Sequence, residues 1–239
     1  MANVRAAAAW AVAIGAVPIT LGWLLTTSLH QPLTGLLLTP LLVGCLAKGR
    51  PGLALAGIAL AVGVHSGAAV ALSAADPGRA AAILDGSAPY WDRTRHWIVT
   101  GADPEYDWRH FVPAHLILVL LVVAGGYVTL TALPLMVGVR ELDLMNFYVG
   151  RLIAEGNAPW AAVLWGWHPW SVIRGVSYSL LLLSTATWSL NRLTGRADDR
   201  PQRTRAMFQL GLTFAVLDAV VKVWITPFVR ERLHGVLFG

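Results

Sequence analysis

Residues 140–175, RELDLMNFYVGRLIAEGNAPWAAVLWGWHPWSVIRG, decide how this chain is read. The stretch lies among long apolar runs, yet it carries Asp143, Asn146, Arg151, Glu155, His168 and Arg174, with a Glu-Gly-Asn-Ala-Pro break at its middle. Leu142, Met145, Val149 and Leu152 fall on one helical face, and Asp143, Asn146, Gly150 and Arg151 on another. Asn157, followed by Pro159, is a helix-start signal and predicts a second short helix through Trp170. Irregular backbone at membrane depth is tolerated only where it is buried in protein or lines a cavity. A broken or re-entrant segment over 140–170 is therefore expected, with Asp143, Asn146, Arg151 and Asn157 as its candidate polar site. The helix start at Asn157 would point a positive dipole end at an anion, as broken transporter helices do, or would pack on a partner subunit.

Outward from this stretch the chain is apolar. Of its 239 residues 56% are hydrophobic and 13% charged, where a soluble domain carries about 25% charged residues. Spans are expected over about 6–28, 32–47, 52–74, 111–139, 172–190 and 206–229, each near or beyond the roughly 18 apolar residues that mark a crossing. The fold class is all-α: a polytopic integral membrane bundle of six to seven spans, forming one membrane domain over 1–239. Gly63 and Gly67 on the third span form a close-approach face for another helix. Residues 76–110 are the one long polar segment, and Trp91, Trp97 and Trp108 suggest that it lies along a membrane interface. Trp165, Trp167 and Trp170 read as a second interfacial belt.

Arginine sets the expected orientation. Sixteen of the 18 basic residues are arginine, and residues 191–205 hold five of them against two aspartates. If the broken stretch crosses once, nine basic residues, including Arg5, Lys48, Arg50 and Arg140, share the inner side. If it only lies on the surface the number is seven. The positive-inside rule favours the first arrangement, with 191–205 a cytoplasmic basic loop and 76–110 an extracytoplasmic loop. The expected location is a bacterial-type inner (plasma) membrane, multi-pass.

The same distribution argues against nucleic acid as a partner, because no basic face interleaved with aromatics is present. Cys45 is the single cysteine and lies in an apolar run, which excludes an internal disulfide and a CxxC metal site. No nucleophile elbow, phosphate loop, zincin motif or dinucleotide fingerprint is present.

Two histidine groupings invite a cofactor. Asp92-x3-His96 is followed by Asp107-x2-His110-x4-His115. Imidazole with carboxylate suits copper, zinc or iron, and Asp92, His96, His110 and His115 are the candidate ligands, with Asp103, Glu105 and Asp107 to orient the imidazoles. These histidines could equally cap helices at an interface. Asp92-Arg-Thr-Arg-His96-Trp-Ile-Val, then Val112-Pro-Ala-His115-Leu-Ile, resembles the third subunit of the copper membrane monooxygenases over about 25 residues. Eighteen residues separate His96 from His115, more than in that family's pattern. The resemblance implies a metal at the outer face. His65, His115 and His168 could instead hold a b-type haem, although a lone intramembrane histidine more often bonds across helices.

Asp218 and Lys222 are four apart on the last span and are expected to form an intramembrane ion pair, unless Lys222 snorkels to the interface. Taken together, the sequence points to an integral membrane subunit of a larger complex, non-catalytic or metal-bearing. Its alternatives are a copper-type monooxygenase subunit and a small ion-coupled transporter using the broken helix. The expected partners are the lipid bilayer and other membrane subunits or copies of the chain. The expected cofactor is copper or zinc, with haem the weaker choice.

Overall fold

Proline opens many of the helices, because its missing N–H would be unsatisfied in a first turn anyway. The computed structural model describes residues 4–102 and 107–239, which form ten helices and no strand. They are α1 (Val4–Leu25), α2 (His30–Ala47), α3 (Pro51–Ala75), α4 (Pro77–Ile83) and α5 (Ser87–Thr100). There follow α6 (Trp108–Val128), α7 (Ala132–Glu155), α8 (Pro159–Gly166), α9 (Pro169–Thr194) and α10 (Pro201–Phe238). Five of these, α1, α2, α3, α6 and α10, are long and apolar enough to cross a membrane, and the chain is a polytopic helical membrane protein. At 24 and 26 residues α7 and α9 also reach across such a bundle, but both are more polar.

Helix boundaries depart from expectation at one place that matters. The apolar run 111–139 is not one span. α6 ends at Val128, and the chain reverses through Leu130 and Thr131, which take φ of 50° and 78°. Residues 132–139 therefore begin α7. Hydropathy is continuous through this turn, and the left-handed positions are filled by residues that ordinarily avoid them. Nothing in composition marked the reversal.

The break falls within the expected Glu155–Pro159 stretch, and what changes is the helix before it, which begins at Ala132. α7 runs unbroken through Asp143, Asn146 and Arg151, and regular helix stops only at Gly156–Ala158, beyond its end. The segment 140–170 is thus the second half of a long helix plus the short α8, not two half-helices of one crossing. Asn157 caps no helix with its side chain. Its amide N–H bonds the Val236 carbonyl at 2.9 Å and its side chain the Gly239 carbonyl at 3.1 Å, tying the α7–α8 turn to the end of α10.

The segment 76–110 is also more ordered than a loop. α5 sets Trp91, Thr94, Trp97 and Ile98 at i, i+3, i+6 and i+7, the spacing of a buried helical stripe. Trp91 and Trp97 are 3% and 1% exposed, packed with Phe147, Tyr148 and Trp170 in the main core. Only Trp108 of the expected belt is exposed, and of the second belt Trp170 is fully buried. A tryptophan-rich polar segment resembles an interfacial one in composition, and its helical period separates the two.

The helices form two groups. α1, α2, α3 and α7 pack on one another, while α9 packs chiefly on α10, with α6 beside them. One end of the bundle carries α4, α5, α8 and the end of α10. There Arg79 bonds the Trp23 carbonyl, and Arg230 bonds the carbonyls of Trp97, Ile98 and Val99. The opposite end carries the turn at Gly49 and the connection between α9 and α10, which together line a surface cavity.

Candidate metal centre

Met136, Asp143 and Gly150 are seven residues apart on α7, two turns each, and share one face. At the first of these, α2 comes close through Gly35, where a Cβ would lie 2.5 Å from the Met136 nitrogen. At the last, α3 comes close at Gly150, where a Cβ would lie 2.8 Å from the Val70 carbonyl oxygen. These two contacts bring both backbones near enough for short side chains to converge on Asp143 between them.

Two histidines do so. His65 on α3 places Nε2 2.7 Å from Asp143 Oδ1, and His30, the first residue of α2, places Nε2 3.1 Å from Oδ2. Gln31 donates from Nε2 to the same Oδ2 at 3.1 Å. The imidazoles stack with centroids 5.8 Å apart, and His30, His65 and Asp143 are each at most 1% exposed. Among the described residues, these form the one group of three whose ligand atoms all lie within 4.8 Å of one another.

Proton placement gives this group its meaning. His30 Nδ1 lies 3.4 Å from the Thr27 carbonyl oxygen, which can only accept. A neutral His30 with its proton on Nε2 donates to Asp143 in the shorter contact, 3.1 Å, whereas a proton on Nδ1 leaves the Nε2 lone pair facing the carboxylate. In the second tautomer the two electron pairs need a cation between them, a further proton or a metal ion. A histidine whose second nitrogen donates to a backbone carbonyl is the usual arrangement of a metal ligand. Near the centre lie further uncommitted donors and acceptors. His65 Nδ1 and both side-chain polar atoms of Asn146, one turn along α7, are buried with no hydrogen-bond partner among the described residues.

A second group of ionisable side chains lies in the other half of the bundle. Asp218 on α10, fully buried, accepts from Arg174 Nε at 2.8 Å, and His115 Nε2 lies 3.4 Å from the same oxygen. His115 also meets the Ala215 carbonyl at 3.1 Å and, through Nδ1, the Tyr178 hydroxyl at 3.3 Å. Lys222 is 2% exposed, with its ammonium 4.6 Å above the Phe111 ring. Asp218 thus meets side chains from α9 and α6, in addition to the expectation for Lys222 from the i,i+4 spacing.

Asp92, His96, His110 and His115 are not brought together. Asp92 and His96 are exposed on α5, whereas His115 is buried beside Asp218. His110 is exposed and lies 3.3 Å from Asp107. The Arg109 backbone N–H and then His110 hold the Asp107 carboxyl below the usual carboxylate range. Asp103 and Glu105 lie outside the described residues. The haem trio is likewise divided, since His65 turns to Asp143 and His115 to Asp218. His168 meets the Tyr148 hydroxyl at 3.3 Å and stacks on Trp170 at 4.4 Å. On α7, Arg151 pairs with Glu155 and lies over Trp91.

His30 is the member of this group that the sequence did not single out, since it lies between the spans expected over 6–28 and 32–47. The available signal was Pro32, which fits the first turn of a helix and so places His30 inside α2. His65 and Asp143 were each singled out, but for separate reasons. The chain matches no family model, no curated protein and no solved structure.

Proposed function

We propose that this protein is a metal-bearing integral membrane subunit whose ion, of the copper, zinc or iron class, is held by His30, His65 and Asp143. The observation that carries the reading is the convergence of these three groups from three helices, with two imidazole Nε2 atoms turned to one carboxylate. Two imidazoles and one carboxylate suit these borderline ions better than calcium or magnesium, which take oxygen ligands. Three protein ligands leave a coordination position open, as in catalytic rather than structural zinc sites. The ion would supply Lewis acidity or redox chemistry. The chain itself supplies burial, ligand orientation through Thr27, and the close helix approach at Gly35 and Gly150.

Membership of a larger assembly is supported by the lipid-side face of α3. Gly63 and Gly67 are exposed, and a Cβ at either would meet nothing within 4 Å. Small residues at that spacing let a second helix approach closely. A bacterial-type inner membrane is supported by apolar helical spans, since outer membranes hold β-barrels. Elemental analysis of the purified protein tests the metal reading. About one equivalent of one transition metal is expected, falling below a tenth in His65→Ala and Asp143→Asn. Folded wild-type protein that retains no zinc, copper or iron after reconstitution and dialysis would overturn it.

An ion-coupled transporter is the second reading, favoured by the buried Asp218, His115 and Lys222 and the half-buried Arg174. Ionisable groups at membrane depth are costly and mark ion pathways by default. Proton or sodium flux into vesicles, abolished by Asp218→Asn, would support it.

A further inference from the structure

The two helix groups part along a cleft bounded by α6, α7 and α9. Its volume is about 180 Å³, and its walls are mostly apolar, with Leu118 and Val122 on α6 and Leu142 and Met145 on α7. The polar lining is concentrated in Arg174, His168, Tyr178, Tyr90, Ser171 and Glu141. α7 separates this cleft from the metal centre, with Leu142 and Met145 turned one way and Asp143 the other.

Three features define what the cleft fits. Drug-sized ligands occupy roughly 300–1,000 Å³, so this space takes only a compact head. On the helices beside it Leu116, Leu120, Val172 and Val176 are exposed, an apolar surface for a chain lying outside. Gly138 on α7 and Gly175 on α9 both line the cleft, and a Cβ at either would meet nothing within 4 Å.

Charge defines the head. The Arg174 guanidinium spans the wall: it bonds the sealed Asp218 at 2.8 Å, yet its side chain is 25% exposed toward the cleft side. Lys222, one turn along α10 from Asp218, is a second buried cation, with its ammonium over the Phe111 ring. Glu141 opposes an anion, but it is 45% exposed and bonded to Arg140 at 3.0 Å. Ser171 adds a hydroxyl donor, and the Tyr90 hydroxyl is also on the wall, while the Tyr178 hydroxyl is engaged by His115 Nδ1. A guanidinium with neutral donors at the base of an apolar slot is carboxylate-recognition chemistry.

We propose that this cleft binds the carboxylate head of a single-chain amphiphile, with its acyl chain lying along the lipid-facing surface of α6 and α9. The site is separate from the metal centre, and its test does not depend on metal content.

Native mass spectrometry of the protein in nanodiscs, titrated with dodecanoate and with dodecanol, reads it directly. One saturable dodecanoate adduct is expected, with dodecanol at least about tenfold weaker because a charge-assisted hydrogen bond is lost. Millimolar acetate should not displace the adduct. Gly138→Leu and Gly175→Leu each fill open space without touching the Arg174–Asp218 pair. Either should keep the wild-type melting temperature and lower dodecanoate occupancy by about tenfold. The proposal is overturned by equal binding of dodecanol, by displacement with acetate, or by unchanged occupancy in a folded glycine variant.

Discussion

His65 Nε2 on α3 lies 2.7 Å from Asp143 Oδ1 on α7, a contact sealed from solvent between groups 78 residues apart in the chain. That contact fixes α3 against α7 at the middle of the bundle. It also makes stability and the proposed metal binding properties of the same atoms.

Removing one member of this centre should be costly, because the remaining groups stay buried without their partner. Asp143→Ala is expected to lower stability by about 3 kcal/mol, the scale for breaking a buried pair. The triple change His30→Leu, His65→Leu and Asp143→Leu should cost less than Asp143→Ala alone, since no orphaned polar group remains. Thermal or denaturant unfolding in detergent checks this. A cheaper single change than triple change would show that the three do not act as a unit.

The same logic applies to the second ionisable group with a different partner set. Arg174→Met should cost about 3 kcal/mol by leaving Asp218 uncompensated, and adding Asp218→Leu should recover much of the loss. Equal stability of the single and double variants would mean that the Arg174–Asp218 bond contributes nothing net.

Glycine substitutions should divide by what surrounds them. Gly35→Val forces α2 off Met136 and should cost about 1–3 kcal/mol, as overpacking does, while lowering metal retention. Gly44→Ala, in open space within α2, should instead be neutral or stabilising by up to about 1 kcal/mol from helix propensity. Unfolding midpoints of the two variants, measured side by side, check the contrast.

On the lipid-facing side, Gly63→Leu on α3 should leave the fold intact and dissociate an assembly built on the Gly63–Gly67 face. Crosslinking in native membranes and light scattering after gentle extraction check this. An unchanged assembly in the folded variant would place the partner elsewhere.

Orientation is read by labelling single cysteines in a Cys45→Ala background. Cysteines at Thr194 and Thr100, both exposed and at opposite ends of the bundle, should label from opposite sides with an impermeant reagent. Position 100 is expected outside, given the arginines between α9 and α10. Labelling of position 194 from outside would invert the topology.

The sequence by itself determined the class of this protein. Apolar runs longer than a bilayer is thick have few alternatives to helix, and Pro159 marked the start of α8, while the spans expected from 52, 172 and 206 begin at Pro51, Pro169 and Pro201. It also marked Asp143 and His65 as unusual, because ionisable groups in apolar runs stand out by composition alone. Tertiary structure decided the rest. The turn at Leu130–Thr131 lies inside continuous hydropathy, so only coordinates separate α6 from α7 and make α7 one helix through Asp143. His30, at residue 30, meets Asp143 because Gly35 and Gly150 let α2 and α3 close on α7, a packing event with no local signature. The order Asp92, His96, His115 looked like a ligand set along the chain, yet α5 turns its charged side to solvent while His115 faces Asp218. Spacing along the chain constrains neighbours within one helix. Which helices meet is set by small-residue contacts between surfaces, and those are not ordered along the sequence.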